Sequence, residues 1–77
     1  MHQSPLAVWL GEVGMTQAQL ATLTDVQRPD VCRSARGHIH TPRRLAEFLQ
    51  RHAPEVLLRH DQYVEAQRKL LLARVAA

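Results

Sequence analysis

The sequence holds one cysteine (Cys32), one lysine (Lys69), three glycines and three aromatic residues (Trp9, Phe48 and Tyr63) among 77 residues. A single thiol excludes an intramolecular disulfide and sets the expectation of a reducing, cytoplasmic setting. With so few aromatics, any core has to be built from Leu, Val and Ala. No apolar run approaches the ~20 residues that span a bilayer, and no basic stretch leads into an apolar segment, so neither a leader nor a membrane partner is expected. Metal and enzyme chemistry lack their residues too. His38 and His40 are separated by one residue with no second ligand cluster, a spacing unlike a structural zinc site. His52 and the His60-Asp61 pair read as helix-surface residues with no nucleophile or glycine-rich loop nearby, and so small a chain implies no catalytic cleft. Neither a cofactor nor a metal is expected.

One further absence is local. Residues 1–27 contain no Lys or Arg and carry −2 through Glu12 and Asp25. Residues 28–51 hold six arginines against Asp30 and Glu47, a balance of +4, and residues 52–77 add +1 to give the chain its +3. Positive charge gathered in one segment is the footprint of phosphate contact. It also fits a solvated basic face, so charge alone does not decide.

What is present reads as helix. The apolar fraction of 45% argues for a folded domain, and 77 residues allow one with a small core, for which dimerisation is a common source of stability. Alternation at strand period is absent, so an all-α chain of five helices is expected. Ser4-Pro5 gives the first helix an N-cap and a first-turn proline, Leu6, Trp9, Leu10 and Val13 share one face, and Gly14 closes it. Thr16 and Gln19 form a capping box for a second helix that buries Leu20, Ala21 and Leu23 and stops near Thr24-Asp25. Pro29 fits only the first turn of a third helix, which starts at Arg28 or Pro29 and ends before Gly37. Thr41-Pro42 repeats the cap-plus-proline signal for a fourth helix with Leu45, Phe48 and Leu49 inside.

After the Ala53-Pro54 break, a fifth helix ~35 Å long at 1.5 Å per residue runs to the C-terminus. Val56, Leu57, Tyr63, Val64, Leu70, Leu71 and Val75 make a seven-residue stripe along it, interrupted by His60, Gln67 and Arg74. The stripe exceeds what so small a core covers, so these seven residues are expected at a dimer interface. The alternative is a helix folded back on its own domain. Two units are expected: residues 1–52, and residues 53–77 as a dimerisation element.

Between Met15 and Arg33, two short helices meet at a tight turn, and the second carries arginines on its outer side. That suits a helix entering the major groove, where arginine bonds a guanine edge through two donors. From Gln17 to Gly37 the chain resembles the helix-turn-helix of the phage repressor and Cro family, the xenobiotic-response-element-type regulators. Leu20-Ala21 matches the apolar–alanine pair at the helix crossing. Val26 and Val31 match the buried residues after the turn and in the recognition helix, and Gly37 matches the glycine that closes it. Thr41-Pro42-Arg43-Arg44-Leu45 resembles the loop and fourth-helix start that return to the DNA backbone. The likeness spans roughly residues 5–52 and leaves out the last helix. It departs at Asp25, where glycine is usual, at Ser34, where an apolar residue packs inward, and at Ala35, which replaces an acidic residue. Together with Pro29, these departures point to a short or slightly re-angled recognition helix.

With Val31 inward, the outward positions are Gln27, Arg28, Cys32, Arg33 and Arg36, the candidate base contacts. The resemblance singles out Gln27, Arg28 and Arg33: the arginines for guanine, Gln27 for adenine. Cys32 would offer a small apolar contact to a thymine methyl, and Asp30 would cap the first turn or position an arginine, with acceptance from a cytosine amine as a lesser alternative. Candidate backbone contacts are Gln17, which the resemblance assigns to a phosphate, with His38, His40, Thr41, Arg43 and Arg44. The two histidines would add charge only when protonated.

The resulting expectation is a sequence-specific, homodimeric repressor of double-stranded DNA, set on an inverted-repeat operator with its reading helices ~34 Å apart. The resemblance implies an operon of a phage, plasmid or other mobile element. Two other readings stand beside it. One is the antitoxin of a toxin–antitoxin pair, with the last helix binding the toxin. The other is a protein-interaction module without DNA, its last helix docked on a protein partner and its arginines on an acidic surface. Arginines placed on the outward face of the third helix favour DNA.

Overall fold

A computed structural model of the chain describes residues 3–76; the outermost ends of the two expected units, residues 1–2 and 77, lie outside the described residues. The chain is all-α, with helices α1 (Pro5–Val13), α2 (Gln17–Thr24), α3 (Arg28–Ala35), α4 (Arg43–His52) and α5 (Pro54–Ala76). No strand occurs among the described residues.

The helix ends form as their residues dictate. Ser4 Oγ accepts the Ala7 N–H at 3.1 Å, and Thr16 and Gln19 exchange side-chain-to-backbone bonds of 3.1 and 2.9 Å. Both devices satisfy N–H groups that a helix start leaves without partners. Gly14 (φ 69°) and Gly37 (φ 80°) close α1 and α3 in left-handed geometry. Beyond each, the next N–H reaches back to Leu10 O at 2.9 Å or Arg33 O at 2.9 Å, and the glycine N–H bonds Gly11 O or Ser34 O. That is the paired bonding of a Schellman end. Asp25 ends α2 at φ 56° without being glycine, a strain that Asp tolerates better than most residues.

Leu6, Leu10, Leu20, Ala21, Val31, Ala35, Leu45 and Leu49 form one buried cluster, with Trp9, Met15, Val26, Phe48 and Leu57 packed against it. Four sequence expectations need correction. Leu23 is 60% exposed and Thr24 is buried in its place. At 100° per residue, Thr24 lies between Leu20 and Ala21 on α2 whereas Leu23 is off that face; the Thr24 hydroxyl donates to Leu20 O at 2.7 Å. Val13, expected on the inner face of α1, is 49% exposed at its end. Thr41 does not cap α4: Pro42 holds the N-cap position, and the Thr41 hydroxyl donates to Asp61 Oδ1 on α5 at 2.9 Å. Finally, His60 is not a surface residue but fully buried, whereas His52 is exposed with its ring 4.5 Å from that of Phe48.

His60 joins three helices. Its Nδ1 accepts the Leu6 N–H at 3.3 Å, and its Nε2 lies 2.8 Å from Ser34 O and 3.4 Å from Ser34 Oγ. A carbonyl can only accept, so Nε2 carries the hydrogen and Nδ1 is bare: a neutral imidazole of one defined tautomer. The ring thereby satisfies a spare donor at the start of α1 and bonds a carbonyl in the last turn of α3. Burial pushes its pKa below the ordinary 6.5, against the opposing pull of the Ser34 carbonyl and the Asp61 carboxylate. Beside it, Tyr63 stacks at 6.0 Å and 24°. The Tyr63 ring also covers Gly37, where a Cβ would stand 2.9 Å from Tyr63 Cε1.

The fifth-helix stripe is therefore divided. Val64 is fully buried against its own chain, and Val56, Leu57 and Tyr63 are half-buried. Leu70, Leu71 and Val75 are exposed at 55%, 62% and 77%. At helical spacing, Leu71 and Val75 continue the face that Val64 buries, and Leu70 and Leu71 line an open concavity with Gly37 and His38.

His60→Ala removes a ring from a filled site and leaves the Leu6 N–H without a partner, for an expected loss of about 2–4 kcal/mol in urea unfolding. Ser34→Ala is expected to cost under about 1 kcal/mol, because the shorter bond goes to the carbonyl, whereas Ser34→Val crowds the imidazole and costs roughly 1–3 kcal/mol. Equal effects of the two Ser34 substitutions would contradict this packing. The folded chain keeps His60 neutral at pH values where an unfolded chain would protonate it, so the unfolded state takes up more protons on acidification. The stabilising contribution is complete above about pH 6.5 and is lost as pH falls through the lowered folded-state value. Thermal midpoints should drop as pH falls below about 6.5, and His60→Gln should flatten that slope.

Candidate nucleic-acid interface

Helix α3 has two unlike faces. Val31, Ser34 and Ala35 are buried, while Arg28, Pro29, Arg33 and Arg36 are exposed. At 3.6 residues per turn, Pro29, Arg33 and Arg36 gather opposite Val31, and Arg28 stands at the first turn. Cys32 is half-buried on the flank. Gln27 is exposed at the N-cap position, with its side chain making no capping bond. The five residues expected to face outward are thus four exposed side chains and one flanking thiol.

The approach to this face is set by α2 and the turn. Residues Asp25, Val26 and Gln27 connect the two helices, and Val26 packs on the core beneath them. Arg44, at the start of α4, bonds the Asp25 carboxylate and also donates to the Asp25 carbonyl at 3.3 Å. This brace holds the left-handed residue of the turn and brings the start of α4 beside the start of α3. It was not foreseen from the sequence. Arg44 would there serve the turn as well as any phosphate.

The other candidates fall into two groups. Gln17, half-buried at the first turn of α2, lines one open concavity with Arg36, His38 and Tyr63. His38 and His40 are exposed in the loop between α3 and α4, and Thr41 has its hydroxyl engaged by Asp61. Arg43 is 91% exposed and pairs with Glu47 at 3.1 Å; Arg33, at 61%, reaches Asp30 at 3.5 Å. Exposed pairs of this kind contribute about 0–1 kcal/mol. They orient the guanidinium groups without holding them, so exchanging a carboxylate for a phosphate or a base edge costs little. Of its expected roles, Asp30 takes the place beside an arginine.

Two residues that build the site escaped the sequence reading: His60 and Asp61. A signal for His60 was present. Ser34 is a polar residue at a position expected to be buried, and His60 interrupts an apolar stripe between Leu57 and Val64. Two polar misfits on inward faces satisfy each other here. Asp61 carried no comparable signal.

The described residues contain no group of three or more His, Cys, Asp or Glu side chains suited to hold a metal ion, and no helix long and apolar enough to cross a membrane. No family model matches the chain, and neither a curated protein nor a solved structure does.

Proposed function

We propose that the chain is a sequence-specific DNA-binding repressor that acts as a homodimer, with α3 in the major groove of an inverted-repeat operator. The observation that carries the reading is the division of α3: Val31, Ser34 and Ala35 fix it to the domain, while Arg28, Arg33 and Arg36 project from it. An α-helix fits the major groove, and arginine reads guanine there through O6 and N7. The partition of charge supports the same face, since all six bases of residues 28–51 fall on or after α3 and none precedes it. Arg43 and Gln17 would set register on the phosphates, while Arg33, Arg28 and Gln27 would carry sequence. In a dimer, two copies of α3 would stand about one DNA turn apart.

The test is binding to DNA from upstream of the gene that encodes the chain, measured at several salt concentrations. A footprint on one sequence with a steep salt dependence is the expected result. Equal, weak binding to all sequences would overturn the proposal. Arg33→Ala should lose about 1–3 kcal/mol of preference at one base pair per half-site. Arg43→Ala should weaken all sequences alike and lower the salt slope by about one. Unchanged ratios among site variants with Arg33→Ala would remove Arg33 from the reading set.

A further inference from the structure

Beyond Tyr63, α5 faces the closing turn of α3 across an open concavity. Gly37 and His38 form one wall, and Gln67, Arg68, Leu71 and Arg74 form the other. At 100° per residue, Gln67, Leu71 and Arg74 continue the side of α5 that carries Tyr63 and Val64 inward. No acid lines this concavity, and residues 66–76 hold Arg68, Lys69 and Arg74 without a carboxylate side chain. Arg33, Arg43 and Arg44 each pair with a carboxylate, whereas Arg36, Arg68 and Arg74 pair with none among the described residues. His38 also lines the neighbouring concavity that holds Gln17 and Arg36. The two concavities meet at His38, so a run of donors passes from Arg36 through His38 to Arg68 and Arg74.

We infer that Arg68 and Arg74 of α5, together with His38, hold the DNA backbone beside the C-terminal end of the reading helix. This rests on the DNA reading proposed above and adds α5 to the surface that touches the duplex. The site calls for an anion, because its arginines have no carboxylate in place and a guanidinium grips a phosphate through two N–H groups. Continuity selects DNA among anions: the same surface runs on to Arg36, exposed at the end of α3, and to Gln17 at the start of α2. His38 contributes a ring N–H, a donor that it keeps when neutral. Arg68 and Arg74 are six positions apart, or ~9 Å along the helix axis, against about 3.4 Å of duplex per phosphate of one strand. Each therefore has room for a phosphate of its own. Leu70 and Leu71 in the same concavity offer an apolar contact to the sugar between phosphates. Contacts of this kind fix register and carry no sequence. Because α5 is uninterrupted and its His60 bonds the Ser34 carbonyl, the two arginines stand in a fixed place relative to α3.

The double substitution Arg68→Ala/Arg74→Ala tests the contact on the DNA fragment that the parent chain footprints. Both residues are exposed, so circular dichroism should match the parent's. The slope of log affinity against log salt should fall by about two per bound chain. Specific and unrelated sequences should weaken alike, leaving the preference among site variants intact. Fragments in which single phosphates near the C-terminal end of α3 are replaced by neutral methylphosphonates give a second readout. The parent should lose about tenfold in affinity at one or two of these positions, and the double variant at neither. An unchanged salt slope would overturn the assignment. So would a variant as sensitive to the neutral phosphates as the parent, the result expected if the slope fell only through loss of a dimer. If the parent binds no DNA, the DNA reading fails and this contact with it; a footprinting parent with an unaffected variant rejects the α5 contact alone.

Discussion

The buried imidazole of His60 is the constraint on which the rest of the molecule depends. The C-terminal end of α3, the helix proposed to enter the groove, is held to the domain by this ring through the Ser34 carbonyl. The same ring accepts the Leu6 N–H at the start of α1, so it fixes a third helix against the first two. A buried polar group stabilises only when its partners are supplied, and here the imidazole has a donor on one nitrogen and an acceptor on the other. A second proton would turn Nδ1 from acceptor to donor against the Leu6 N–H. The arrangement therefore admits one charge state, in keeping with the lowered pKa.

That ring also accounts for residues that fit poorly in a sequence reading confined to α2 and α3. Most of the architecture was legible: caps at Ser4 and Thr16, left-handed ends at Gly14 and Asp25, and the inward pair Leu20 and Ala21 follow from local chemistry, while inward Val31 and the closing Gly37 were implied by the resemblance. Ser34 was not legible, because its partner is 26 residues away on α5. The resemblance places an apolar side chain there; in this chain the space above it belongs to an imidazole. Periodicity placed His60 correctly within the stripe but gave it a surface role, since nothing local distinguishes a buried histidine with partners from an interruption. The Arg44 brace on Asp25 was hidden for the same reason. It joins residues 19 apart, and only packing brings them together.

The proposed interface resembles its expectation in the exposure of its residues but gains an internal logic. Each of Arg33, Arg43 and Arg44 has an acidic or carbonyl partner already in place: Asp30, Glu47 and Asp25 respectively. Such pairs hold long side chains near useful directions while contributing little stability of their own. On the proposed reading, DNA binding exchanges these partners, and the carboxylates reject a phosphate that arrives out of register. Asp25 and Glu47 sit beside two of the arginines expected at the backbone, which narrows the set of phosphate positions the face would accept.

Helix α5 couples the proposed reading face to the proposed dimer. Its first half carries His60, Tyr63 and Val64 into the domain, with Tyr63 lying over Gly37 at the closing turn of α3. In its second half Leu70, Leu71 and Val75 are exposed, with Leu70 and Leu71 beside Gly37 and His38. No proline or glycine interrupts the helix between the two, so no hinge of the usual kind separates them. A partner bound at the tail would thus be fixed in orientation relative to the C-terminal end of α3. For a dimer on an inverted repeat that rigidity matters more than affinity, because half-site spacing is set by the distance between reading helices. The contacts at Ser34 and Gly37 would then act twice, keeping α3 on its domain and setting where the second α3 can stand.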